Sequence, residues 1–205
     1  MPKDIERKIA VIFVTDVVGF SKSMERNEDE TLRSFRSCRD ILDNLFEEHG
    51  GRIFNTAGDS VLAEFQSAVS ALMCAKDFQK LIRERNENVS EDSVMRFRVG
   101  LNMGDVIVEG SNLYGDGVNV AARLEALSQS DGVCLSKSIM DFVHNKTDLG
   151  FHDLGEQKVK NTTVHAFDLM DTNLETRSVK SEIGKDNESS KAPSIAVLPF
   201  SNLSN

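Results

Sequence analysis

The sequence predicts an α+β protein: a ferredoxin-like βαββαβ sandwich with extra strands, its mostly antiparallel sheet carrying helices on one face. Three observations point there. The strand-like runs alternate with helical periodicities in the order βαββαββ. Gly-containing turns between adjacent strand-like runs mark hairpins rather than crossovers. The 205 residues suffice for one domain of about 150 to 200 residues with a sizeable core, or for a domain plus a tail.

The elements follow in order. "KIAVIFV", residues 8 to 14, has the composition of a buried strand, and "TDVVGF" turns out of it. In the charged segment that follows, Leu32, Phe35, Ile41, Leu42, Leu45 and Phe46 recur at near-helical spacing, and Gly50-Gly51 supplies a stop. "RIFNTAGDSVLAEF" reads as a hairpin. Ala68, Ala71, Leu72, Ala75, Phe78 and Ile82 mark a second amphipathic helix. "MRFRVGLNMGDVIVEG" alternates like two strands joined near Gly104-Asp105. A third helix is expected over 117 to 128, a short strand at "GVCLS", a helix at 138 to 144, and two closing strands at "FHDLGEQKV" and "TVHAFDLM".

This domain is expected to span residues 1–170. Residues 171–192 are polar, charged and nearly free of large apolar groups, so they cannot offset their ordering entropy and read as a linker. "PSIAVLPFSNLSN" over 193–205 then reads as the truncated start of a following domain.

Composition narrows the function classes. With 24 Lys+Arg against 33 Asp+Glu the formal charge is -9, which argues against nucleic acid as a partner and makes any phosphate site local. An RNA-binding sheet is further disfavoured by the lack of a basic, aromatic-rich strand. No apolar run approaches the ~20 residues of a membrane span, and the charged "MPKDIERK" start has no signal-peptide core, so a cytoplasmic protein is expected. Three widely spaced cysteines, Cys38, Cys74 and Cys134, fit reduced packing residues rather than a zinc or disulfide framework.

Two groups of residues carry candidate chemistry. Asp16 leaves the first strand at a glycine-containing turn whose free backbone N–H groups can hold phosphate oxygens. Asp59 sits at the tip of the next hairpin, where by itself a Gly-Asp pair is ordinary turn chemistry. If the first strand lies beside that hairpin, the two carboxylates meet at one end of the sheet and a shared divalent cation is their natural partner. On the third helix Asn119 and Arg123 are four residues apart and share a face. Arg123 suits a phosphoryl group gaining charge; taken alone, the pair also reads as a cap and a solvated charge.

In order along residues 8 to 170, "VTDVVGFSK", "NTAGDSVLAEF", "YGDGVNVAARLEA" and "GEQKVKN" resemble the successive signatures of the class III nucleotidyl cyclase catalytic domain. The resemblance implies conversion of a nucleoside triphosphate to its 3',5'-cyclic monophosphate and pyrophosphate, with two divalent ions, Mg²⁺ or Mn²⁺, as cofactors. It implies a head-to-tail homodimer with composite sites. By position, Asp16, Asp59 and the Val17 carbonyl would hold the metals. Val18, Gly19, Phe20 and Ser21 would bind terminal phosphates, with Lys160 neutralising the outer ones. Asn119 would orient the ribose and Arg123 would stabilise charge on the α-phosphoryl group.

The chain departs from the family where the base is read. Neither the adenine-type Lys and Asp nor the guanine-type Glu and Cys is present, and those positions hold Asn55 and Asn112. Tyr114 stands where an aromatic Trp is usual. An amide presents a donor and an acceptor, so it can serve adenine or guanine. ATP is the expected substrate and cyclic AMP the product, with GTP or mixed specificity as the alternative. A catalytically weak or silent nucleotide-binding dimerisation module is the rival reading. The closing fragment resembles a domain that follows cyclase domains in bacterial multidomain proteins.

Overall fold

Twelve residues, Glu6–Val17, form strand β1, longer at both ends than the apolar run that announces it. Its apolar side chains divide by parity. Val11, Phe13 and Val17 enter one buried cluster and Ala10, Ile12 and Val14 another, so the run lacks polar alternation because both faces are covered. This is seen in a computed structural model that describes residues 6–159, 162–171, 174 and 176. The linker expected over 171–192 lies almost wholly outside the described residues, and the strand expected from 193 lies wholly outside them.

Around β1 the sheet is built from β2 (Arg52–Ala57), β3 (Ser60–Phe65), β4 (Phe97–Glu109), β5 (Asn112–Tyr114), β6 (Val133–Ser136), β7 (Phe151–Val159) and β8 (Thr162–Leu169). The strand order is β2-β3-β1-β4-β6-β8-β7, with β5 paired to β4. The β4–β6 pair is parallel and the other pairs are antiparallel.

The helices are α1 (Phe20–Arg26), α2 (Glu28–His49), α3 (Ala68–Asn86), α4 (Asp116–Leu127) and α5 (Lys137–Val143). Asn27 separates α1 from α2: it is extended, and its side chain accepts the Glu30 N–H at 3.2 Å. With Glu28, Asp29 and Glu30 in the first turn, α2 starts with a cap and a favourable charge for its dipole. Phe46 of α2 meets Phe13 of β1 at 5.2 Å and Phe65 of β3 at 5.7 Å, both near edge-to-face. Each buried ring contributes roughly 1.5–3 kcal/mol, so this trio fixes α2 on the β1–β3 pair. Cys38, Cys74 and Cys134 are buried and outside any disulfide. No described helix is long and apolar enough to cross a membrane.

The expected α+β sandwich with a mostly antiparallel sheet is therefore what forms. Its helices are not all on one side. α2, α3 and α5 pack with Phe13, Val61 and Leu101, whereas Ala121 and Val118 of α4 pack with Ala10, Ile12 and Phe54 on the reverse face. Backbone contact makes that possible: a Cβ on Gly100 of β4 would lie 2.2 Å from the Glu125 nitrogen and 2.3 Å from the Ala121 oxygen. A second correction concerns 97–109, read as two strands joined near Gly104-Asp105. They form one strand, β4, paired with β1 from Glu6↔Val108 to Val17↔Phe97. Gly104 makes room rather than a turn, since a Cβ there would sit 3.3 Å from the Gly117 Cα. The reversal comes at Gly110, with φ 62, leading into β5.

Candidate active site

The β1–β3 register sets the first part of the site. Thr15 lies opposite Val61, which carries Asp16 to the level of Ser60 and the two-residue turn Gly58-Asp59. Gly58 takes φ 63, a conformation glycine adopts without strain, and this aims the turn at the end of β1. Ser60 donates its hydroxyl to Asp16 Oδ1 at 2.5 Å, and the Val17 N–H donates to Asp59 Oδ2 at 3.2 Å. The two acidic side chains thus converge at one end of the sheet, as the strand order led us to expect. Burial, then the neighbouring Asp16 carboxylate, pushes the Asp59 carboxyl above the ordinary range for an aspartate.

A second charged pair backs Asp16. Arg98 is its cross-strand partner on β4, with Nη2 3.4 Å from Asp16 Oδ2 and Nε 2.8 Å from Glu125 Oε1. Glu125 is buried on α4, and its carboxyl is pushed up to about 7, chiefly by burial, with Asp16 and Asp59 adding to the effect and Arg98 opposing it. Sequence reading missed Ser60, Arg98 and Glu125. A signal for Glu125 exists: it stands four residues after Ala121 on the sheet-facing stripe of α4, where a carboxylate is out of place.

After Val17 the chain leaves the sheet. Val18 donates its N–H to the Arg96 carbonyl, and Gly19, with φ 72, is the N-cap of α1. No side chain caps that turn. Phe20 packs on Phe35 at 5.3 Å between ring centres, and Val18, Gly19 and Ser21 are exposed.

Asn119 and Arg123 do share a face of α4, away from the buried stripe of Gly117, Ala121, Leu124 and Glu125. Asn119 is exposed and Arg123 half-buried, and neither side chain has a hydrogen bond or ion pair among the described residues. The hydrogen-bond and ion-pair partners of Asp16 and Asp59 are Ser60, Val17 and Arg98, not Asn119 or Arg123. Asn55 follows a bulge in β2 between Ile53 and Asn55 and is exposed. Asn112 opens β5, and its Nδ2 donates to the Tyr114 hydroxyl at 3.4 Å. Arg52 Nη1 donates to the Ser111 carbonyl at 2.8 Å, holding β2 against the β4–β5 connection and so bringing the two asparagines to one region. Lys160 lies outside the described residues.

A cavity of about 540 Å³ lies between the start of α4 and the β7–β8 hairpin, lined in part by Asn102, Gly115, Ser138, Thr163 and His165. Neither Asp16 nor Asp59 lines it. Among the described residues no group of three or more His, Cys, Asp or Glu side chains could hold a metal ion. The donor set at the end of β1 is two carboxylates plus backbone. That fits Mg²⁺ or Mn²⁺, which bind through one or two carboxylates and complete their shell with water and phosphate oxygens.

Comparison with known families decides what this arrangement is part of. The family model of the adenylate and guanylate cyclase catalytic domain matches residues 1–172. The chain belongs to that family. Over 98% of its length it is 42% identical to putative adenylate cyclase 3 of Rhizobium meliloti, and over 67% it is 30% identical to an adenylate cyclase of Streptomyces coelicolor. It covers 35% and 34% of those two proteins, so it spans about a third of the length of these curated relatives. Among solved structures, an adenylate/guanylate cyclase/hydrolase from Silicibacter pomeroyi superposes with a TM-score of 0.75 at 36% identity, covering 82% of this chain and 99% of that one. The adenylyl cyclase CyaB from P. aeruginosa superposes at 0.71 with 20% identity, covering 83% and 97% respectively, and shares the cyclase fold.

Proposed function

We propose that this cyclase domain converts ATP to 3',5'-cyclic AMP and pyrophosphate at composite sites of a head-to-tail homodimer. The observation that carries the reading is the convergence of Asp16 and Asp59. Two carboxylates held together with one of them resisting ionisation form a place for divalent cations. Asn119 and Arg123, whose side chains have no hydrogen bond or ion pair among the described residues and lie off the buried stripe of α4, support a second half-site that a partner protomer would use.

In this reading Asp16, Asp59 and the Val17 carbonyl hold two ions. When bound, Mg²⁺ or Mn²⁺ would supply a lowered pKa at the ribose 3'-hydroxyl and neutralisation of the departing pyrophosphate. Val18 is already engaged through its N–H with the Arg96 carbonyl and lines the turn by its exposed side chain, while the turn from Gly19 through Phe20 to Ser21, which no side chain caps, offers backbone N–H groups to the terminal phosphates, and Lys160 adds a cation there. From the other protomer, Asn119 orients the ribose by its amide. Arg123 donates two parallel bonds to the α-phosphoryl oxygens as their charge grows, which is where positioning and electrostatics do the catalytic work in phosphoryl chemistry. Asn55 and Asn112 meet the base edge. Their amides can pair with the amino group and N1 of adenine, and, turned over, with guanine. A cytoplasmic setting fits the need for nucleoside triphosphate.

The test is an assay of cyclic product with Mn²⁺ and either ATP or GTP. Cyclic AMP that disappears in Asp59→Ala supports the reading, and cyclic GMP as the main product replaces the substrate. Nucleotide binding without product would make the domain a silent dimerisation module.

A further inference from the structure

Arg98 stands between two carboxylates that belong to different elements. Asp16 ends β1, and Glu125 is on α4, the helix whose opposite side presents Asn119 and Arg123. The guanidinium reaches both, 3.4 Å to Asp16 and 2.8 Å to Glu125. The Glu125 side chain is only 10% exposed, Arg98 29% and Asp16 23%, so solvent does not screen this trio as it would a surface pair. A buried carboxylate is costly unless paired, and Glu125 occupies a stripe otherwise made of Gly117, Ala121 and Leu124. As a simple counterion for Asp16, Arg98 would not need it. Nor is there slack between the parts. The Gly100 backbone, two residues from Arg98, touches the α4 backbone at Glu125, so a shift of the helix is transmitted rather than absorbed by side chains.

We infer that Glu125 is a positioning residue that, through Arg98, ties the orientation of Asp16 to the seat of α4. This rests on the composite-site reading above. In such a dimer a protomer lends Asp16 to one catalytic centre and α4 to the other. The chain Asp16–Arg98–Glu125 is then a link within each protomer between the two centres.

Mixed dimers separate the two readings. Asp16→Ala mixed with Arg123→Ala leaves one intact centre, whose aspartates come from the Arg123→Ala protomer. A mixture without product overturns the composite-site reading itself. Given product, Glu125→Gln is added to one parent at a time. In the Arg123→Ala parent it is expected to raise the apparent Mn²⁺ activation constant roughly ten-fold, the usual scale for loss of a group supporting a metal ligand. In the Asp16→Ala parent the Mn²⁺ constant is expected to stay within about two-fold, with the change falling on kcat instead. Equal effects from both placements, or none from either, overturn the inference. An activity-free measurement accompanies it: electron paramagnetic resonance of free Mn²⁺ titrated with nucleotide-free Glu125→Gln homodimer. Weakened Mn²⁺ binding by a variant that still melts in one cooperative transition supports the link, and wild-type binding overturns it. If Glu125→Gln does not fold, Arg98→Lys keeps the cation, loses the fork that spans both carboxylates, and takes its place with the same expected outcomes.

Discussion

The backbone N–H of Val17 donates to Asp59 Oδ2 at 3.2 Å, joining the last residue of β1 to the turn between β2 and β3. That bond holds the Asp59 carboxylate next to Asp16, against the repulsion and burial that push its pKa up. The pair is a strained arrangement whose natural relief is a divalent cation.

Asp59→Asn should therefore separate function from stability. Cyclic nucleotide formation is expected to fall at least ~100-fold, the scale of losing metal-based charge stabilisation. In EDTA at pH 8 the same variant should melt higher than the parent, because one of two like charges has gone. A lower melting temperature in EDTA would mean that the carboxylate is a structural hydrogen-bond partner first.

Glu125 makes the metal-free protein sensitive to pH. Its folded carboxyl titrates at about 7, against 4.5 ordinarily, so the folded chain retains a proton that the unfolded chain has lost. The stabilisation is full below about 4.5 and is lost as pH rises through about 7. Between pH 6 and pH 8 this amounts to about 1 kcal/mol, or roughly 2–4 °C in melting temperature for a domain of this size. Melting curves in EDTA should show that drop in the parent and a smaller one in Glu125→Gln; equal drops would remove Glu125 as its source.

Gly100→Ala tests the seat of α4. Its added Cβ would lie 2.2 Å from the Glu125 nitrogen, and backbone cannot move aside cheaply. The urea midpoint should fall by the equivalent of roughly 3 kcal/mol, the upper end for overpacking. An unchanged midpoint would contradict the close contact of helix and strand.

The proposed base choice rests on two amides, Asn55 and Asn112. Replacing Asn55→Lys together with Asn112→Asp gives the base edge one fixed donor and one fixed acceptor, so the ATP/GTP ratio of kcat/KM should rise by about ten-fold or more. An unaltered ratio would place base reading elsewhere.

Local patterns carried most of the fold. β1 was evident as an apolar run, and α4 and α5 fall within one residue of their expected ranges. What failed was the meaning of glycine. Gly104 looked like a turn because Gly-Asp is turn chemistry, yet it serves the close approach of Gly117 from an element twelve residues on, a relation no local pattern contains. The placement of α4 on the reverse face has the same origin. In the site, Asp16 and Asp59 could be brought together by strand order alone. Arg98 and Glu125 could not, because their partnership depends on which face of the sheet the helix covers.

In the proposed dimer, the two half-sites on each chain complete one another across the interface. Purified Asp16→Ala and Arg123→Ala proteins, each inactive alone, should when mixed in equal amounts recover about a quarter of wild-type cyclase activity: half of the dimers are mixed, and each of those has one of two centres intact. Activity that stays at the level of the separate variants, in a mixture shown to contain heterodimers, would contradict it.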